Sequence, residues 1–288
     1  MGSAIKTGDQ RTNLPAALPR PLPPPQPEPQ PALAPRAVLL FDIDGVVRDV
    51  AASYRRALAE TVHHYSGWRP DARCIDALKG EGRWNNDWEA SLELLRRRGL
   101  DPLPAFGALV DVFSGFYFGG DPDADPRQWR GFIGDEALLM DRSCFERLGA
   151  AGIAWGFVSG AEPASARYVL EQRLGLSKPP LVAMGDAPDK PDPTGLLQLA
   201  RVLGGEPGPQ APPVAYLGDT VADVLTVQNA RRACPNRRFL SLAVAPPHLH
   251  GQPEARRHYE RGLWAAGADA VIASSASALE ELEALLDA

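Results

Sequence analysis

Cysteine is scarce in this chain. Cys74, Cys144 and Cys234 stand far apart and form no C-x-x-C pair. That pattern excludes a disulfide framework and a cysteine-ligated zinc site, and it fits a reducing, cytoplasmic setting. No apolar run approaches the roughly 20 residues that cross a bilayer, and the N-terminus lacks the apolar core of a secretory signal, so neither membrane insertion nor export is expected. A surplus of positive charge is also missing: the formal net charge is -6 and the pI is near 5.5. A polyanion such as nucleic acid is therefore not the expected main partner. Lysine is nearly absent, since only Lys6, Lys79, Lys178 and Lys190 stand among 30 basic residues. Internal repeats are lacking too.

The chain has 288 residues, 44% of them hydrophobic, which is enough to bury a sizeable core in one large or two smaller domains. Ten of its 29 prolines fall between Pro15 and Pro35. Residues 1–36 thus read as a disordered or polyproline II leader, a solvated tail rather than an SH3-type ligand or targeting extension. The leader's charges sum to +2, so residues 37–288 carry -8 and the folded part is the acidic part.

Beyond the leader the periodicity changes twice. From residue 53 to about 134, apolar residues recur at helical spacing over Ser53–Tyr65, Asp71–Lys79, Asp87–Arg98 and Pro104–Tyr117, with no strand signal between them. After a helix around Arg142–Leu148 come short apolar runs at Ala154–Val158, Leu181–Met184, Val214–Leu217, Phe239–Val244 and Ala270–Ala273, most of them separated by helical stretches. Such alternation predicts an α/β fold with a parallel sheet. The helical stretch reads as an insertion after the first strand, giving a core of residues 37–52 and 135–288 and an all-helical unit of 53–134.

That first strand is the most informative segment. The run Val38-Leu39-Leu40-Phe41 does not alternate, which suits a strand covered on both faces, and it ends in Asp42-Ile43-Asp44-Gly45. In open α/β sheets, ligands bind at the carboxyl ends of strands. The two aspartates are either catalytic carboxylates or the caps of an Asx-rich turn. Other strand ends add to the constellation. Ser159-Gly160 offers a hydroxyl and backbone N–H groups to an anion, or a helix N-cap. Asp219 and Asp223, four apart after Val214–Leu217, can face one pocket or cap a helix. Lys190, in Asp189-Lys190-Pro191-Asp192-Pro193, is a compact point charge in an arginine-rich chain. Several carboxylates together imply a hard divalent cation, most simply Mg²⁺, and Ser159 with Lys190 implies an anionic group beside it.

Taken in order, these four motifs resemble those of the haloacid dehalogenase superfamily of hydrolases, and the helical stretch resembles the family's inserted cap. The resemblance spans roughly residues 37–285. It implies a Rossmann-like core, an aspartyl-phosphate formed on Asp42, and Asp44 as general acid and then base. It further implies phosphoryl contacts from Ser159, Gly160 and Lys190, and Mg²⁺ held by Asp42, the Asp44 carbonyl and Asp219, with Asp223 in support. Dehalogenase-like members lack the second aspartate because halide departs without a proton, so Asp44 favours phosphate esters.

Substrate choice is expected to lie in Glu81-Gly82-Arg83-Trp84-Asn85-Asn86-Asp87-Trp88 of the helical unit, where Arg83 suits an anion, Asn85 and Asn86 suit hydroxyls, and Trp84 a flat face. The competing reading makes Asn86 or Asp87 a helix cap and the tryptophans core anchors. Arg48 either reaches the substrate or pairs with Asp49. His63 and His64 read as surface residues. The expected function is an Mg²⁺-dependent phosphatase of a small phosphorylated metabolite; the alternatives are a sugar phosphomutase and a non-catalytic regulatory protein on the same fold.

Overall fold

Residues 37–41 form strand β1 (Ala37–Phe41), and all five are buried because both faces of the strand are covered. Side chains alternate across a strand. Ala37, Leu39 and Phe41 accordingly join one apolar cluster, with Phe145, Leu148, Phe157 and Leu170, while Val38 and Leu40 join another, with Leu196, Leu199, Val227 and Ala230. The computed structural model describes residues 34–51, 53–122 and 124–287. The proline-rich leader, apart from residues 34–36, lies outside the described residues.

After β1 come the two-residue strand β2 (Arg48–Asp49) and four helices: α1 (Tyr54–Ser66), α2 (Ala72–Lys79), α3 (Asp87–Arg97) and α4 (Phe106–Phe118). The chain returns at β3 (Ala137–Leu138), which pairs antiparallel with β2, and continues through α5 (Arg142–Ala150). Then follow β4 (Ile153–Val158), α6 (Pro163–Arg167) running into a π-helical turn, β5 (Leu181–Val182) and α7 (Thr194–Gly204). The last stretch holds β6 (Val214–Gly218), α8 (Val221–Ala233), β7 (Phe239–Val244), α9 (Pro253–Ala266), β8 (Ala270–Ile272) and α10 (Ala278–Asp287).

Among the described residues β1 and β4–β8 make one parallel six-stranded sheet in the order β5-β4-β1-β6-β7-β8. Counting sheet strands along the chain, that is the doubly wound order 3-2-1-4-5-6, a Rossmann-like α/β architecture. Its order reverses between β1 and β6, where a crevice opens at the carboxyl ends of the strands.

The helices α1–α4 carry an apolar cluster of their own, including Leu58, Val62, Ile75, Leu94, Leu109 and Phe113, with α1 packed on α3 and α4. Local capping sets two of their starts: Asp71 accepts from the Cys74 N–H, and Asn86 accepts from the N–H groups of Trp88 and Glu89. Two-residue strands β2 and β3 carry no periodic signal and were not expected from the sequence. No helix among the described residues is long and apolar enough to cross a membrane.

Candidate active site

The crevice between β1 and β6 gathers the acidic motifs. The Asp42 N–H donates to the Leu217 carbonyl at 2.8 Å, so the ladder runs one residue past β1 and holds this carboxylate at the strand tip. Gly45 turns the chain away with φ of 76°, and a Cβ there would lie 2.0 Å from Asp219 Oδ2, so only glycine permits this approach. Asp219 follows β6 directly. One ligand oxygen from each of Asp42, Asp219 and Asp223, all three buried, lies within 4.8 Å of the others.

Asp223 serves two purposes. Its Oδ2 accepts from the N–H and hydroxyl of Thr220 at 2.9 and 2.7 Å, and the Asp223 N–H donates to Thr220 Oγ1, a capping box that starts α8. Its Oδ1 receives Lys190 Nζ at 2.5 Å. Capping and site-building are thus the same contact set. Lys190 also lies 2.9 Å from Asp42 Oδ2 and donates to the hydroxyl of Tyr216 at 3.0 Å, which in turn donates to the Val158 carbonyl at 2.7 Å. Tyr216, hidden in the apolar run of β6, carries no sequence signal as a site residue.

Electrostatics follow from burial against pairing. Burial pushes the Asp42 carboxyl up to about 6; Lys190 pulls it down, while Asp223 and Asp44 push it further up. Asp219 is raised well above the ordinary carboxylate range by burial and then by the charges of Asp223 and Asp42. Burial works in the same direction on Asp223, but the ammonium of Lys190 and the Thr220 bonds outweigh it and hold Asp223 below its ordinary value. Burial opposes the charge on Lys190, yet Asp223 and Asp42 overcome it and raise its pKa. Three buried carboxylates facing one cation leave an excess of negative charge. An all-oxygen donor set of this kind fits a hard divalent ion such as Mg²⁺.

Above the carboxylates lies a cavity of about 50 Å³ lined by Asp42, Asp44, Ser159, Gly160 and Asp219 on the sheet side and by Tyr54, Lys79, Asn85, Asp87 and Trp88 on the helical side. Ser159 Oγ accepts from the Ala161 N–H at 3.2 Å within the turn after β4. A Cβ on Gly160 would stand 3.0 Å from Asn85 Nδ2, so Gly160 lets the helical unit's loop come close. Lys79 pairs with Asp87 at 2.7 Å and reaches the Asn85 carbonyl at 3.2 Å.

Not every residue singled out from the sequence lies here. Arg83 is 68% exposed, pairs with Glu81 and stacks over Trp84, away from the cavity lining. Trp84 donates to Glu81 and packs with Trp88 against the helical cluster. Asn86 spends its oxygen capping α3. Arg48 requires the largest correction. It is fully buried and does not line the cavity, and its ion pairs go to Asp44 and Glu136, not to Asp49. Of that loop, Asn85, Asp87 and Trp88 face the cavity, and Lys79 joins them; its rarity was the one available hint.

The order of the motifs and the doubly wound sheet with its acidic switch point define a family of hydrolases. The chain belongs to the haloacid dehalogenase-like hydrolases, whose family profile matches residues 37–231. Among curated proteins it is similar to imidazoleglycerol-phosphate dehydratase from Phytophthora nicotianae, 28% identical over 200 residues that cover 68% of this chain but 42% of that protein. Among solved structures it is similar to a hydrolase from Pseudomonas syringae, with 19% identity, a TM-score of 0.62, and coverage of 86% of this chain and 99% of that one. A phosphatase from Thermococcus thioreducens aligns with 23% identity and a TM-score of 0.54 over 78% of this chain and 98% of its own. At these identities the structural likenesses establish a shared fold.

Proposed function

We propose that this hydrolase is a Mg²⁺-dependent phosphatase of small phosphate monoesters, with residues 53–134 acting as a cap over the sheet-end site. One observation carries the reading: Lys190 Nζ sits 2.9 Å from Asp42 Oδ2 within a buried group of Asp42, Asp219 and Asp223, of which Asp42 and Asp219 line the cavity that residues of α2 and α3 also line. Asp42, Asp219 and the Asp44 carbonyl would hold the ion, with Asp223 in support. When bound, Mg²⁺ supplies the positive charge that lets a carboxylate approach a phosphate dianion.

The remaining chemistry belongs to the chain. Asp42 attacks phosphorus to form an aspartyl-phosphate. Lys190, Ser159 and the Gly160 backbone bind the phosphoryl oxygens. Asp44, 22% exposed and lining the cavity, gives its proton to the leaving oxygen and then takes one from the attacking water. Asn85, Lys79, Asp87 and Trp88 meet the leaving group. The candidate leaving groups are small polar alcohols of the sugar, polyol and glycolate kinds, to which the name of the dehydratase relative adds imidazole-bearing phosphates.

The test is phosphate release from such a panel with Mg²⁺, beside an Asp42→Asn variant. Release by the wild type alone supports the phosphatase. Isomerisation of a sugar phosphate primed by its bisphosphate, without release, identifies a phosphomutase. Turnover of none of the panel favours a binding role on this fold.

A further inference from the structure

Arg48 and Glu136 form a buried ion pair that the phosphatase reading does not use. The Arg48 side chain is 0% exposed and that of Glu136 is 0% exposed, with Nη1 and Oε2 3.0 Å apart. Arg48 Nε also donates to Asp44 Oδ1 at 2.7 Å. The Tyr54 and Tyr117 rings, 4.1 Å apart at their centroids, pack together on one side of the guanidinium, 5.6 and 6.0 Å from it. Glu136 Oε1 accepts from Ser53 Oγ at 2.6 Å and from the Tyr117 hydroxyl at 3.0 Å, and that hydroxyl lies 2.7 Å from Ser165 Oγ.

These partners are spread in a telling way. Arg48 opens β2 and Glu136 immediately precedes β3, so the pair joins the two strands through which the chain leaves and re-enters the core. Ser53 precedes α1, Tyr117 lies on α4, and Ser165 lies on α6 beside the sheet. A buried ion pair contributes little net stability against apolar residues of equal volume, so stability does not explain this one. Orientation does: one planar guanidinium bonds two carboxylates, Nε to Asp44 and Nη1 to Glu136, and so fixes the one relative to the other.

We propose that Arg48 is a positioning residue for Asp44, and that through Glu136, Ser53 and Tyr117 it ties the Asp44 rotamer to the placement of the helical unit over the site. The inference rests on the reading of Asp44 as the proton donor. Asp44 Oδ1 is held by Arg48, which leaves Oδ2 to carry the proton. As Asp42 attacks, the phosphorus–ester oxygen bond breaks and that oxygen takes the Oδ2 proton; water later cleaves the Asp42–phosphorus bond and returns a proton to Asp44. Without Arg48 the donor wanders, while the Asp42 attack remains.

The experiment compares wild type with Arg48→Met and with the double variant Arg48→Met/Glu136→Gln, in which no buried charge is left unpaired. In saturating Mg²⁺, kcat/KM is measured along monoesters from 2,4-dinitrophenyl phosphate, whose leaving group departs without a proton, to alkyl phosphates. The expected loss is about 10²-fold or more on alkyl phosphates and less than about tenfold on the dinitrophenyl ester, the pattern Asp44→Asn also gives. An equal loss along the series, or none, overturns the proposal. Hydrolysis of no monoester by the wild type removes the phosphatase reading itself, and the inference with it.

A second readout needs neither metal nor turnover. In chelator, the Arg48 Nε–H should appear as a solvent-protected side-chain NMR resonance that shifts in Asp44→Asn and stays in Asp49→Asn. A resonance insensitive to Asp44 overturns the proposal.

Discussion

Replacing Asp42 by asparagine should make the protein more stable in chelator, and increasingly so as pH rises. The cause is the raised carboxyl of Asp42, shifted by burial from 3.8 to about 6. A carboxyl whose folded pKa lies above its unfolded value binds more protons in the native state. Its contribution to stability is therefore complete below 3.8 and is lost as pH climbs through about 6. At about 1.4 kcal/mol per unit, the full penalty at neutral pH is about 3 kcal/mol, of which about 1 kcal/mol accrues between pH 5 and 7. Urea denaturation of both proteins in EDTA, followed by tryptophan fluorescence, reads the difference directly. The stability gap in favour of Asp42→Asn should widen by about 1 kcal/mol from pH 5 to 7. Millimolar Mg²⁺ should close or invert it at pH 7, because a ligand of the native state stabilises by mass action. A gap that is flat with pH, or that narrows, refutes the account of the buried carboxylates.

Gly45→Ala forces a side chain into a left-handed turn and into Asp219 Oδ2, 2.0 Å from the new Cβ. It should lower stability by at least about 1–2 kcal/mol and weaken Mg²⁺ binding measured by titration calorimetry; unchanged affinity would show that Asp219 is not a ligand. In steady-state kinetics on the best monoester, Asn85→Ala should raise KM several-fold, whereas Arg83→Ala should leave it unchanged, since only Asn85 lines the cavity. A larger effect at Arg83 would reinstate the arginine as the substrate contact.

What the sequence disclosed and what it hid divide along one physical line. Elements whose signal is local periodicity were legible: the unalternating Val38–Phe41 run, the four helices of the inserted unit, and strand β7, whose predicted and observed limits coincide at Phe239–Val244. So were three positions at strand tips, Asp42, Ser159 and Asp219, which all line the cavity. Arg48 shows where such reasoning ends. Its neighbour in sequence is Asp49, but the turn after β1, with the Gly45 N–H on the Arg48 carbonyl and the Arg48 N–H on that of Ile43, turns the side chain back to Asp44. Its other partner, Glu136, is 88 residues away. In the loop of residues 81–88 the residue types suited a substrate equally well, and only packing separated Asn85, which faces the cavity, from Asn86, which caps a helix. Tyr216 was invisible for a different reason: an aromatic in a buried strand looks like core until its hydroxyl is seen against Lys190.

The short ribbon of β2 and β3 has a consequence for how such proteins diversify. Arg48 stands opposite Leu138 and Asp49 opposite Ala137, so everything between them leaves and returns at neighbouring points. To the sheet, that whole excursion is one loop. Each doubling of a loop's length adds only about 0.6 kcal/mol of closure entropy. The excursion can therefore lengthen, shrink or be exchanged while the strand order and the acidic tips stay as they are. Under the function proposed above, the segment that would contact the leaving group can thus change in length and sequence without moving the acidic strand tips.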